Sequence, residues 1–315
     1  MKEKVVYQLK DKAIWVVFIF LFVAFTIANT RFITPNNIIT MVRQVSMYGI
    51  ASIGMTFVIL LGGIDLATGS IITFVNIICA YFMVHSGMNM YVAILLSLVL
   101  ATLIGALNGF MVSTVGMPAL IATFATQTIF KGLAYIISGG TPINGFTVDF
   151  KIIGQGYIGP IPVPVIIMVI CFALGSFILN KTYFGRYFYA VGGNEEAAKL
   201  SGIRVGRVKY LVYSLSGLFA GLAGVVMLSR TNSAQATAGD GYEFDVITCV
   251  VLGGVSVTGG YGKLSNVVAG VLIIGALTNG MVLMNVSSYV QLVVKGLVLA
   301  FAVGFDCIQK KRQTT

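Results

Sequence analysis

The sequence predicts an all-α polytopic membrane protein with about ten transmembrane helices and both termini in the cytoplasm. Of its 315 residues, 57% are hydrophobic and only 10% are charged, and the mean hydropathy is +0.96. A soluble domain has about a quarter of its residues charged. The apolar segments are continuous rather than alternating, which argues against a β-barrel. The basic residues fall mostly on one predicted side of the membrane, as the positive-inside rule requires.

Apolar blocks between chain-breaking residues define the individual spans. About 20 apolar residues cross the hydrocarbon core of a bilayer, and the chain contains about ten such blocks. Their approximate boundaries are 14–30, 44–63, 66–84, 91–114, 117–137, 162–180, 210–229, 245–262, 265–284 and 288–306. The first block lacks a small-x-small cleavage site, so we expect an uncleaved helix. Residues 1–315 are predicted to form a single transmembrane domain.

The 20 Lys and Arg residues orient these spans. With both termini inside, the inner side holds Lys2, Lys4, Lys10, Lys12, Lys181, Arg186, Lys199, Arg204, Arg207, Lys209, Lys263, Lys310, Lys311 and Arg312. The outer loops hold Arg31, Arg43, Lys131, Lys151 and Arg230, while Lys295 lies within a span. This asymmetry explains the formal charge of +10 by membrane topology. No nucleic-acid partner is expected.

The most polar piece of the chain is the inner loop 181–209, which contains the sequence NEEAAKLSG. A favourable N-cap is followed by two acidic residues that suit the helix dipole, two alanines that favour helix, and a glycine that can end it. These residues are Asn194, Glu195, Glu196, Ala197, Ala198 and Gly202. They predict a helix of about seven residues, too short to be stable alone. It is either an amphipathic helix at the membrane surface or a docking helix whose short Ala face enters a groove on another protein.

The stretch GGVSVTGGYGKLS, residues 253–265, is similar to a phosphate-binding loop but departs from it twice. Val257 stands where a glycine is needed, and Leu264 replaces the Ser or Thr that would hold magnesium. The four cysteines form no CxxC pair, and no metal-binding or catalytic cluster is apparent. We therefore expect no enzyme activity, cofactor or metal site, and any ATP-driven role requires an ATPase partner.

The stretch LLGGIDLATGSII, residues 60–72, places an aspartate in an apolar segment. A charged carboxylate at the centre of a membrane helix costs about 2.5–3.5 kcal/mol. The topology places Asp65 at a turn on the cytoplasmic side, between the second and third spans. Gly62 and Gly63 can end one helix, and the carboxylate can cap the next. We favour this structural cap, and direct contact with a transported solute is the alternative.

Five stretches, in order along the chain, resemble the permease subunits of bacterial ABC importers of the ribose-type monosaccharide group. They are GMTFVILLGGIDLATGSI (54–71), FGRYFYAVGGNEEAAKLSGI (184–203), YSLSGLFAGLAGVV (213–226), SAQATAGDGYEFDVITCVVLGGVSVTGGYG (233–262) and NGMVLMNVSSYVQLVVKG (279–296). They are spread over most of the sequence, and the set is far more specific than any one motif.

The resemblance implies a multi-pass permease of the bacterial inner membrane that translocates a ribose-like or related monosaccharide. It implies cytoplasmic ABC ATPase subunits, a second permease subunit (identical or paralogous) and a periplasmic sugar-binding protein as partners. In such families a cytoplasmic helix with a Glu-Ala-Ala-Gly pattern couples to the ATPase. Here that role is carried over to Glu196, Ala197, Ala198 and Gly202, with Asn194, Glu195 and Arg204 in the same segment.

A path for a sugar should be lined by polar, mostly uncharged groups and by aromatic rings. Candidates within or beside the predicted spans are Asp65, Asn76, Asn108, Thr123, Gln127 and Asn279. For each span residue the alternative is a hydrogen bond between helices, which contributes about 0.6 kcal/mol on average.

The competing function is an ion-coupled secondary transporter of a small polar solute. Such a transporter normally places several ionisable groups in its spans. Here only Asp65, Lys295 and Asp245 approach that pattern. The sequence therefore favours the ATP-driven permease.

Overall fold

The chain is helical over most of its length. The computed structural model describes the backbone of residues 2–314 and the side chains of residues 14–308. The elements are α1 (Lys2–Ala28), the 3-10 helix η1 (Thr30–Ile33), α2 (Pro35–Leu60), α3 (Thr68–Val84), α4 (Met90–Ser113), α5 (Ala119–Ser138), α6 (Val148–Gln155), β1 (Tyr157–Ile158), β2 (Ile161–Pro162), α7 (Val163–Lys181), α8 (Tyr183–Gly193), α9 (Glu195–Leu200), α10 (Val205–Thr231), α11 (Tyr242–Leu252), α12 (Leu264–Leu283) and α13 (Ser288–Thr314). Strands β1 and β2 form a short antiparallel hairpin.

Among the described residues, seven helices are long and apolar enough to cross a membrane, namely α2, α4, α5, α7, α10, α12 and α13. Two further apolar helices are shorter, the Ile14–Ala28 part of α1 and α3. The chain is thus an all-α polytopic membrane protein, apart from the short hairpin. Part of the predicted charge bias lies outside the described side chains, at Lys2, Lys4, Lys10, Lys12, Lys310, Lys311 and Arg312.

The prediction of one continuous span over 245–262 is wrong. Helix α11 ends at Leu252, and its 11 residues reach only about 16 Å. The following loop contains four glycines at positive φ, Gly254, Gly259, Gly260 and Gly262, a conformation that no α-helix contains. Asp306 of α13 anchors the loop, because its Oδ2 accepts hydrogen bonds from the Val257 amide at 3.1 Å and the Ser256 hydroxyl at 3.0 Å. Hydropathy misses this break because residues 253–262 are rich in glycine and carry no charged side chain.

Basic residues predicted in outer loops lie within helices instead. Arg43 belongs to α2, Lys131 to α5 and Arg230 to the last turn of α10. Helix α2 begins nine residues before the predicted apolar core, which is why Arg43 is included. The Lys131 ammonium lies 2.9 Å from the Asp240 carboxylate, so its charge has a partner.

Helices α4 and α10 pack closely through glycines. Gly105 of α4 lies against the Tyr213 carbonyl, and Gly217 of α10 lies against the Ala101 carbonyl. A Cβ atom at either glycine would overlap backbone atoms of the other helix. Such small-residue contacts let membrane helices approach closely, and they fix α10 at the centre of the bundle.

The segment between α10 and α11 runs into the interior of the bundle, antiparallel to α3. The Gln235 amide donates to Asn76 Oδ1 at 3.2 Å, and the Gly239 amide donates to Thr73 Oγ1 at 2.9 Å. Gly239 also packs against Gly69, in the first turn of α3. Helix α11 therefore begins inside the bundle rather than at its end. We call it a half-span because its length of about 16 Å is about half the thickness of a hydrocarbon core.

Candidate functional site

The predicted cytoplasmic helix is present as α9. Asn194 is its N-cap, and its Oδ1 accepts a hydrogen bond from the Ala197 amide at 2.9 Å. Gly202 takes φ +83° after the last turn, and the Ile203 amide donates to the Ala198 carbonyl at 3.1 Å. The predicted cap and terminator are both confirmed, because these are local features of the sequence.

An ion pair joins α9 to the start of α10. The Lys209 ammonium lies 2.8 Å from Glu195 Oε1, and about half of the Glu195 side chain remains exposed. Glu196 and Arg204 are exposed on the same segment. The segment therefore presents both signs of charge on its exposed surface.

The exposed apolar surface of α9 differs from the predicted alanine face. Ala198 is buried against the protein itself and cannot enter a groove on a partner, whereas Ala197 is exposed. Leu200 was not among the predicted docking residues, and it is 89% exposed. The sequence shows a leucine at the end of a polar segment, but its exposure depends on how α9 packs.

Helix α8 precedes α9 and lies near two loops. The loop 61–67 joins α2 to α3, and the loop 253–263 joins α11 to α12. Gly192 lies against the Leu60 carbonyl and the Gly260 amide, and that amide donates to the Leu60 carbonyl at 2.8 Å. The Tyr189 hydroxyl donates to the Gly262 carbonyl at 2.8 Å. Burial raises the pKa of Tyr189, which keeps this hydroxyl protonated. Helix α8 therefore contacts the loop 253–263 directly and the end of α2 just before the loop 61–67.

Asp65 lies in the loop 61–67 and is completely buried. Its Oδ1 accepts from the Ala67 amide at 3.0 Å, and its Oδ2 accepts from the Ser216 hydroxyl of α10 at 2.7 Å. The N-cap of α3 is Ala67 rather than Asp65, so the predicted cap is wrong by two residues. The carboxylate binds the amide of Ala67 and stabilises the turn that leads into α3. Beside it, the Leu66 amide donates to Thr123 Oγ1 of α5 at 3.1 Å.

Replacing Asp65 with asparagine should preserve the fold, because an amide oxygen can accept from Ala67 and the amide nitrogen can donate to Ser216. We expect the melting temperature and solute uptake of Asp65→Asn to stay near those of the unmodified protein. Asp65→Leu is the matched control, since it leaves buried partners unsatisfied at about 1–3 kcal/mol each. Loss of uptake in Asp65→Asn at unchanged melting temperature would instead support direct solute contact.

Two candidate path residues make buried contacts between elements. Asn76 Oδ1 accepts from Gln235, and Asn108 Oδ1 of α4 accepts from the Thr126 hydroxyl of α5 at 2.6 Å. The Nδ2 atoms of both asparagines are buried without a hydrogen-bond partner among the described residues. Their contact with a solute stays a prediction.

Two other candidates lie at separate places in the bundle. Asn279 of α12 exchanges hydrogen bonds with Asn37 of α2 at 2.8 and 3.0 Å. Gln127 of α5 donates to Glu243 Oε1 of α11 at 2.8 Å. The structure does not bring all six candidates together, and Gln127 is the candidate whose side chain is partly exposed, whereas the other five are buried.

Two ionisable groups of the helical bundle, Lys295 and Asp245, pair with each other. The Lys295 ammonium of α13 lies 2.7 Å from Asp245 Oδ2 of α11, and most of both side chains is buried. The Lys131–Asp240 pair was not anticipated, since the two residues are distant in sequence. Among residues 14–308, no group of three or more His, Cys, Asp or Glu side chains could hold a metal ion.

Comparison with known proteins identifies the family. The family model described as branched-chain amino acid transport system / permease component matches residues 37–303. The ribose import permease protein RbsC of Bacillus subtilis (strain 168) is 47% identical over 283 residues, covering 89% of this chain and 88% of that protein. The L-arabinose transport system permease protein AraH of Escherichia coli (strain K12) is 40% identical over 300 residues, covering 95% and 91% respectively. No solved structure matches the chain.

The match spans nearly the whole sequence. It includes α8, α9 and the loops that α8 contacts. The chain therefore belongs to this family of transport-system permease components, and it is a multi-pass membrane transport subunit rather than an enzyme.

Proposed function

We propose that the chain is the permease subunit of an ABC importer that carries a ribose-like or related monosaccharide across the bacterial inner membrane. The observation that supports this most strongly is the 47% identity with a ribose import permease over most of both chains. The identity with an L-arabinose permease extends the substrate class to related monosaccharides. Its relationship to these permeases also favours ATP-driven import over the ion-coupled alternative.

Ten membrane segments with both termini in the cytoplasm fit the helices described above. The seven long helices, the apolar part of α1 and α3 supply nine segments. Half-span α11, together with the loop 253–263, supplies the tenth. The basic residues of α8, α9 and the start of α10 then lie on the cytoplasmic side, in agreement with the positive-inside rule.

Helix α9 is the docking element for a cytoplasmic ATPase subunit. It is exposed and short, it carries charged residues, and it presents Leu200 as an apolar anchor. ATP-driven movement of the ATPase displaces α9, and α8 transmits the displacement to the loops 61–67 and 253–263. Both loops interrupt helical segments, and loops of this kind absorb the backbone changes of a conformational switch.

A second permease subunit and a periplasmic binding protein complete the importer. The binding protein docks on the outer side, where α6 packs as a cap on the end of α10. Gly154 of α6 donates to Ser229 Oγ at 2.7 Å, which holds this cap in place. Released sugar then enters a path between the two permease subunits.

Reconstitution in proteoliposomes tests the proposal. The chain is combined with an ABC ATPase subunit and a sugar-binding protein of the same importer, and uptake of radiolabelled ribose and L-arabinose is measured. We expect uptake that requires ATP and the binding protein and that persists when ionophores remove ion gradients. Uptake driven by a proton or sodium gradient without ATP would contradict the proposal and support a secondary transporter.

A further inference from the structure

One surface of the helical bundle carries charged groups that remain exposed. The Lys131 ammonium lies 2.9 Å from Asp240 Oδ1, and 42% and 43% of the two side chains are exposed. One turn away on α5, Gln127 donates to Glu243 Oε1. The exposed ring of Phe244 lies at the start of α11.

The depth of these groups follows from the helices that hold them. Lys131 precedes the end of α5 at Ser138 by seven residues, which corresponds to about 10 Å. Gln127 precedes the same end by eleven residues, or about 16 Å. The hydrocarbon core is about 30 Å thick, so both residues lie within it. Asp240 follows Gly239, which is held against the first turns of α3 deep in the bundle.

Lipid is an unsuitable neighbour for this surface. Charged side chains in membrane segments face the bundle interior or a water-filled cavity, because exposing them to hydrocarbon is costly. The exposed face of α7 shows the contrast, since it presents the apolar side chains Ile170, Leu174 and Phe177. The surface at Lys131 and Asp240 therefore faces water.

We propose that the polar face, defined as Gln127, Thr128, Lys131, Asp240 and Phe244, lines the aqueous path that a monosaccharide follows. This inference rests on the proposed function and assigns a place to the substrate within it. Sugar hydroxyls both donate and accept hydrogen bonds, and the face offers an ammonium, an amide, a hydroxyl and a carboxylate. The Phe244 ring offers an apolar surface for the C–H face of the sugar ring, as in most small-molecule sites.

A matched pair of cysteine variants tests the polar face. Thr128→Cys places a thiol on the face, ten residues from the outer end of α5, and Leu174→Cys places one on the exposed face of α7, eleven residues from its outer end. Both are made with Cys307→Ser, since Cys307 is exposed whereas Cys79, Cys171 and Cys249 are buried. The complete importer in proteoliposomes is treated with the cationic, water-soluble methanethiosulfonate reagent MTSET.

We expect Thr128→Cys to be labelled at least about tenfold faster than Leu174→Cys, because the reagent is confined to water and reacts with the thiolate. Labelling, read by mass spectrometry, should also stop ribose uptake in Thr128→Cys alone. Equal resistance of both thiols overturns the proposal, and so does full uptake by the labelled Thr128→Cys importer. ATP-dependent uptake is measured before treatment, so failure of the proposed function is seen separately from failure of this inference.

Discussion

Replacing Glu195 and Glu196 together with lysine should abolish ATP-dependent sugar uptake while the protein still inserts and folds. Both residues are exposed in the first turn of α9, where negative charge suits the helix dipole. The reversal also breaks the Glu195–Lys209 pair and puts positive charge on the surface proposed to dock the ATPase. Like charges facing each other across an interface cost several kcal/mol, so we expect uptake to fall by about 100-fold or more.

The control for this variant is Lys209→Ala, which removes the ion pair but keeps both glutamates. Partly exposed pairs contribute about 0–1 kcal/mol, so this change should reduce uptake only slightly. The measurements are uptake, the amount of protein in the membrane and co-purification of the ATPase subunit. Normal uptake and normal ATPase association in the double reversal would show that α9 is not the docking element.

Replacing Gly192 with valine should slow uptake strongly by separating α8 from the end of α2 and from the loop 253–263. A Cβ atom at this position overlaps the Leu60 carbonyl and the Gly260 amide, both of which are backbone groups that cannot rotate away. Overpacking typically costs about 1–3 kcal/mol, and a rigid backbone neighbour places this variant at the upper end. We expect a lower melting temperature and at least about tenfold slower uptake, with ATPase binding retained because α9 is unchanged.

Gly193→Val is the matched control, since it lies in the same helix and nothing lies within 4 Å of its added Cβ. It carries the same loss of backbone freedom and the same β-branched side chain. Equal uptake in the two variants would show that contact between α8 and the loops is unnecessary for transport.

Local chemistry explains which parts of the fold are predictable. Asn194 and Gly202 mark the ends of α9 because capping depends on residues only a few positions apart. The burial of Ala198 and the exposure of Leu200 depend on the packing of α8, so they could not be predicted from neighbouring residues in the sequence. The sequence identifies Gln127 as a polar residue within a span, but its neighbour Glu243 is brought to it by the folding of segment 232–241.

The interrupted segment at 253–263 shows the limit of hydropathy more clearly. A hydropathy average over a window of residues responds only to composition. The break arises from glycines at positive φ and from hydrogen bonds to distant residues. Lys131 illustrates the same limit, because its tolerance within α5 depends on Asp240, more than 100 residues away.

The hydrogen bond between the Gly260 amide and the Leu60 carbonyl joins the loop 253–263 to the end of α2, where the loop 61–67 begins. Neither loop can shift far without moving the other or breaking this bond. The two loops therefore act as one joint, and an arrangement with only one of them displaced is disfavoured. We expect a joint of this kind to couple the change in access at the two loops, which would limit the passive leak of sugar and of small ions through a resting importer.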